Sequence, residues 1–188
     1  MKRDFSSLAR PGLDLLVVGS GIYGAWTAVD QVMTSLAQPT GARPTEERRF
    51  PWAPSGDFGD WLQAATTRGV ALELDPLTAR TAALRFGSGV EALLARLAAQ
   101  PDLAARLDPT LPFCRAEVVH VVEQEMACTL HDVLRRRIPL LLLTPPTAGV
   151  IEDAAALAGD ALRWTPERRQ EEVAGLPGAT AATLATAL

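Results

Sequence analysis

The sequence predicts a mainly α protein, a helical bundle preceded by a short β-α stub. The bundle is read from residues 51–188, where apolar positions recur at three- and four-residue spacing between capping residues, prolines and glycines. One stretch there, Arg115 to Arg137, is long enough to serve as a central helix of about 33 Å. The stub is read from the apolar run Leu13 to Val18, which feeds directly into Gly19-Ser20-Gly21-Ile22-Tyr23-Gly24 and a helix-compatible stretch from Ala25. The chain therefore divides into a stub at 1–38, a linker at 39–50 and a helical domain at 51–188.

In the stub, a buried strand, a glycine turn and a helix in that order form the first half of a βαβ unit. Gly19 permits the tight turn, Gly21 lets backbone approach a pyrophosphate, and Gly24 lets helix pack on strand, so the turn reads as a dinucleotide-phosphate site. The second strand of such a unit, ending in a ribose-binding acid, is not found. Glu46 and Glu47 stand at about the right distance, but the polar, Pro-containing linker from Gln38 precedes them and neither is assigned that role.

In the helical domain, Asp57 caps a helix that runs through Trp61 and Leu62 and stops at Gly69. Asp75-Pro76 opens a second that stops at Gly87, and Ser88 with Glu91 makes a capping box for a third, Val90 to Ala99. Pro101 starts a short helical turn, and Pro109 with Pro112 frames a loop. On the long helix from Arg115, the residues Val119, Val122, Met126, Leu130 and Val133 form one apolar stripe, and Arg135, Arg136 and Arg137 complement the dipole at its end. Helices over Gly149 to Leu162 and from Thr165-Pro166 to Gly175 close the bundle. Ala179 to Leu188 is Ala- and Thr-rich and reads as a fraying end.

Composition excludes several functions. Lys+Arg 18 against Asp+Glu 22 gives a net charge of -4 over 188 residues, which is unsuited to nucleic acid, where phosphate neutralisation supplies most of the affinity. No stretch approaches the roughly 18 apolar residues of a membrane span, so membrane association is peripheral at most and the location is read as cytoplasmic. Cys114 and Cys128 lack metal-type spacing and read as reduced thiols in core or groove; no metal site is expected. His120 and His131, eleven apart on one helix, would lie about 16 Å from each other and bridge no metal. Together with Glu123, Glu125 and Asp132 they read as a solvated or interdomain face, with Asp132 and Arg136 as a helical ion pair. Trp61 and Trp164 read as core anchors. No catalytic residue is assigned.

The stretch Asp14 to Ala28, with its turn Gly19 to Gly24, resembles the N-terminal FAD-binding strand and turn of FAD-dependent glycerol-3-phosphate dehydrogenases. Leu111-Pro112-Phe113, Ala116-Glu117-Val118, Glu125-Met126-Ala127, Thr129, Asp132-Val133-Leu134 and Arg136-Arg137 are similar to the C-terminal helical domain of that family, which glycerol-3-phosphate oxidases share. Trp164 with Arg168, Arg169, Gln170 and Glu171 is similar to its closing helix. The chain departs from the pattern at Cys128, usually Arg, at Ile138, usually Thr, and at Ser20, more often Gly.

Such enzymes oxidise sn-glycerol 3-phosphate to dihydroxyacetone phosphate, passing electrons to FAD and then to quinone. The resemblance thus implies FAD as cofactor, held at Gly19, Ser20, Gly21, Ile22, Tyr23 and Gly24. The family's central segment, between about Ala28 and Met33 of this chain, is missing, so the expectation is an internally truncated relative without a complete active site. The alternative is a non-catalytic helical module that pairs with a full-length or split flavoenzyme, or with a second copy as a homo-oligomer.

Overall fold

A computed structural model describes residues 53–176. The stub, the linker, Pro51, Trp52 and the tail beyond Leu176 lie outside the described residues. Among the described residues there is no strand. Seven α-helices follow one another: α1 (Phe58–Ala71), α2 (Pro76–Phe86), α3 (Val90–Ala99), α4 (Arg115–Gln124), the short α5 (Leu140–Leu143), α6 (Ala148–Leu162) and α7 (Pro166–Ala174). 3-10 turns occupy Gly87–Gly89 and Pro101–Ala104, and a π-helical turn occupies Asp132–Arg137.

Capping side chains start most of these helices. Asp57 accepts from the Asp60 N–H at 3.0 Å, Asp75 from Leu77 and Thr78 at 3.1 Å each, and Thr165 from Arg168 at 3.2 Å. Pro76 and Pro166 fill first-turn positions, where no intrahelical N–H is needed. The start of α3 differs from expectation. Gly87–Gly89 is a 3-10 turn that leads into the helix with no side-chain cap, and Glu91 pairs with Arg68 on α1 instead of closing a box with Ser88.

Helix ends depart further from the sequence reading. Gly69 does not stop α1, which continues to Ala71. Its role is contact: a Cβ at Gly69 would lie 2.8 Å from Ala79 Cβ, so the absent side chain lets α1 and α2 approach closely. The chain turns at Glu73 (φ 68°), and the Leu74 N–H returns to the Gly69 carbonyl at 3.1 Å. α6 ends similarly, with Arg163 at φ 56° and the Trp164 N–H on the Gly159 carbonyl at 2.8 Å.

The largest difference falls on residues 115–137, where two helical segments replace the single long helix. α4 ends at Gln124; Met126 takes φ 58°, and the Ala127 N–H bonds the Val121 carbonyl at 3.2 Å. Helix resumes at Leu130 under a new cap: Asp132 accepts from Thr129 N–H at 3.1 Å, while the Thr129 hydroxyl accepts from Asp132 N–H at 3.0 Å. Met126 is therefore no member of the apolar stripe; it is 77% exposed, while Leu130 and Val133 are fully buried.

The core is continuous. Leu62, Ala65, Ala79, Ala82 and Ala83 line the α1–α2 contact, Leu93 and Leu97 bring in α3, and Ala154 and Ala158 of α6 pack on α4. Trp61 and Trp164 are partly buried against that core, as expected of anchors. Among the described residues, no helix is long and apolar enough to cross a membrane.

Candidate functional site

Every residue from Ala116 to Val122 of α4 is buried, including Glu117 and His120. A helix surrounded on all sides must satisfy its polar groups inside the protein. Glu117 does so with both oxygens. Its Oε1 accepts from the Cys114 N–H at 2.9 Å, capping its own helix, and its Oε2 accepts from Arg85 Nη1. Full burial pushes the Glu117 carboxyl above its ordinary range, against the pull of Arg85 and the Cys114 N–H.

The Arg85 guanidinium is held with equal care. It sits 4.8 Å from the ring centroid of Phe86 and 5.0 Å from that of Phe113, and Nη2 donates to the Arg137 carbonyl at 3.1 Å. One side chain thus ties α2, the loop before α4 and the end of the π-helical turn together. His120, 4% exposed, packs against Phe86 with ring centroids 4.4 Å apart and planes tilted by 59°. Burial, with Arg96 and Arg85 nearby, lowers its pKa, which favours the neutral ring.

Little acid-base or nucleophilic chemistry is left to this cluster. Both Glu117 oxygens are engaged, and burial pushes the Cys114 thiol up and away from the thiolate form that reacts. Glu123 pairs with Arg96 at the rim. Neither Glu117 nor Arg85 stood out in the sequence as a site residue. A Glu at the third position of a helix whose start, Cys114, is not a Ser, Thr, Asp or Asn was the available signal.

The other residues singled out in the sequence are dispersed. His120 belongs to α4 and is buried, so it is not part of a solvated face, and His131 lies beyond the break. Asp132 and Arg136 form the expected ion pair at 2.6 Å. Glu125 approaches Arg137 at 4.0 Å. Cys114 is in the core; Cys128 is exposed on the loop. Gly19, Ser20, Gly21, Ile22, Tyr23 and Gly24 lie outside the described residues, as do Glu46 and Glu47.

The described residues do not fit a flavin. Among the described residues, the two buried side-chain nitrogens without a partner, Arg115 Nε and Arg169 Nε, belong to guanidinium groups already bound to Asp153 and Asp160 at 2.7 Å each. Among the described residues, no group of three or more His, Cys, Asp or Glu is placed to hold a metal.

A mainly helical domain with a locked ionic centre is what these residues define. The family described as the C-terminal domain of alpha-glycerophosphate oxidase matches residues 21–169, and the chain belongs to that family. It is 31% identical over 93 residues to a glycerol-3-phosphate dehydrogenase of Synechocystis sp., a match covering 47% of this chain and 16% of that protein. It is 32% identical over 81 residues to a probable mitochondrial glycerol-3-phosphate dehydrogenase of Dictyostelium discoideum, covering 43% of this chain and 13% of that one. The match thus spans about a sixth of either relative or less. No solved structure gives a significant match.

Proposed function

We infer that the chain serves the oxidation of sn-glycerol 3-phosphate as the helical C-terminal domain of a flavin-dependent dehydrogenase, and that by itself it is an internally truncated form without a complete active site. FAD contact, on this reading, is confined to the turn Gly19 to Gly24 of the stub at 1–38. Residues 51–188 act as a scaffold and contact surface.

The observation that carries the reading is the engagement of the buried charges. Oxidising a secondary alcohol needs a base for the hydroxyl proton and a cationic site for the substrate phosphate, both held in a dry, oriented pocket. Among the described residues, the buried Glu117 and the partly buried Arg85 have the right chemistry, and they are spent on one another, on the Cys114 N–H and on the Arg137 carbonyl. The flavin would supply the hydride acceptor.

A visible absorption spectrum of the purified chain, with and without added FAD, followed by dye-linked oxidation of glycerol 3-phosphate, tests this. The expected result is a cooperatively folding protein that does not turn over. Retained yellow flavin with substrate-dependent dye reduction would overturn it. Loss of flavin uptake in Gly21→Val, where uptake is seen at all, would assign the phosphate contact to the glycine turn.

A further inference from the structure

Two small surfaces of the domain have opposite charge, and each carries an exposed apolar side chain. The first surrounds Met126. Its side chain is 77% exposed although its backbone is held in the left-handed region. The loop around it is stitched to the arginine run: Asp132 Oδ2 accepts from the Cys128 N–H at 3.3 Å, Asp132 Oδ1 binds Arg136, and Glu125 faces Arg137. Glu172 fixes the other side by accepting from Leu130 N–H at 2.8 Å. In the Arg136–Asp132 pair the guanidinium lies outward, 68% exposed against 17% for the carboxylate, and Arg135 is exposed without an ion-pair partner among the described residues. The result is a rigid apolar knob with a cationic rim.

The second surface is the start of α1. Phe58 is 54% exposed and stacks on Trp61 at 5.8 Å, and Asp57 and Asp60 flank the rings. Neither acid has an ion-pair partner among the described residues, and Asp57 spends one oxygen on the Asp60 N–H.

We propose that these surfaces bind each other between two copies of this chain, with Met126 of one copy seated against Phe58 and Trp61 of the other, and Arg135 and Arg136 facing Asp57 and Asp60. Aromatic rings accept a methionine thioether well, and opposite charges around them set the register. Because the two patches differ, a single contact leaves one patch free on each copy. The association closes as a dimer if both pairs form about a two-fold axis, and extends as an open chain otherwise.

Sedimentation velocity on the full chain over a range of concentration and salt is the test. The expected result is association that grows with concentration and weakens with salt. Met126→Asp and Met126→Ala should each weaken it about tenfold or more, as loss of a central anchor does. Arg135→Glu and Asp60→Arg, each monomeric alone, should recover a one-to-one complex when mixed, because one intact patch remains on each partner. Circular dichroism melts of the variants report folding separately. A wild-type chain that stays monomeric overturns the proposal, as does association indifferent to these substitutions or mixing that restores nothing. A monomeric chain that instead sediments with anionic vesicles, or binds a full-length flavoenzyme through Met126, overturns it and gives the knob that other occupant.

Discussion

Residues 116–122 are buried on every side of the helix they form, while residues 125–137, further along the chain, expose a loop and bury only one face of the turn that follows. The first stretch holds Glu117 and His120 inside the protein; the second holds Met126, Cys128 and three arginines at its surface. Both carry apolar residues at helical spacing. What separates them is where backbone groups find partners. The Glu125 N–H still makes the ladder bond to the Val121 carbonyl, but the amides of 127–129 turn back to that same carbonyl and to the Asp132 carboxylate instead. A continuous apolar stripe is thus compatible with a break, because capping decides helix ends and periodicity does not.

The buried stretch should respond most strongly to substitution. Glu117→Ala leaves the Arg85 guanidinium between two rings with no counter-ion, and Arg85→Ala leaves the Glu117 carboxyl fully buried beside one N–H. Either change is expected to lower unfolding free energy by about 3–5 kcal/mol, measured by urea denaturation. Replacing both, as Arg85→Met with Glu117→Leu, should recover most of the loss, since a buried pair contributes little beyond what packed apolar residues would. Failure to recover would mean that the Arg137 carbonyl and Cys114 N–H depend on the pair more than on packing. The exposed pair Arg68–Glu91, bonded at 2.5 Å but about half exposed on both sides, provides the contrast: Arg68→Ala should cost less than about 1 kcal/mol.

Close packing offers the next largest effect. Gly69→Ala forces the α1–α2 contact apart, because its Cβ would lie 2.8 Å from that of Ala79. A loss of about 1–3 kcal/mol is expected. Gly149 in α6 would meet nothing within 4 Å, so Gly149→Ala should be neutral or stabilise by up to about 1 kcal/mol through helix propensity. Equal thermal midpoints for the two variants would refute the close approach of α1 and α2.

These contrasts also show what could be read in the sequence. Helix starts were legible because Asp57, Asp75 and Thr165 are oxygen-bearing caps, and Pro76 and Pro166 mark first turns; α2, α3, α6 and α7 fall within a residue or two of expectation. Helix ends were less so. Among the described residues, three turns use left-handed residues that are not glycine, namely Glu73, Met126 and Arg163, and the glycine nearest the first of them, Gly69, is needed for contact instead. The break before Leu130 did have a signature in Thr129-x-x-Asp132, hidden by the apolar stripe that runs across it. In the polar centre, Glu117 is buried because a long-range partner, Arg85, reaches it from α2, a pairing that spacing along one helix does not encode.

His120 gives a pH-dependent test of the buried stretch. Its pKa is lowered in the fold by burial, with Arg96 and Arg85 adding repulsion, so the unfolded chain binds a proton more readily than the native one. The stability it contributes is complete above the unfolded value of about 6.5 and is lost as pH falls through the folded one. Thermal midpoints should therefore decline from pH 7 towards 5, and His120→Gln should flatten that decline without affecting the acid limb below about pH 4, where carboxylates such as Asp75 titrate. Arg106 holds Asp75 well below the usual carboxylate range, so its contribution disappears only in strong acid.

Met126 provides the smallest effect and the sharpest discrimination between the two stretches. In a single long helix, Met126→Asp would bury a charge in the apolar stripe and unfold the bundle. With Met126 exposed beyond the end of α4, the same substitution should shift unfolding free energy by no more than about 0.5 kcal/mol. Met126→Gly goes in the opposite direction from an ordinary helix glycine. A left-handed residue with a side chain carries about 1–2 kcal/mol of strain, and glycine removes it while loosening the unfolded chain by about 0.5–1 kcal/mol. The balance is a gain of a few tenths to about 1 kcal/mol, read from urea denaturation beside Val122→Gly, which lies within α4 and should lose stability.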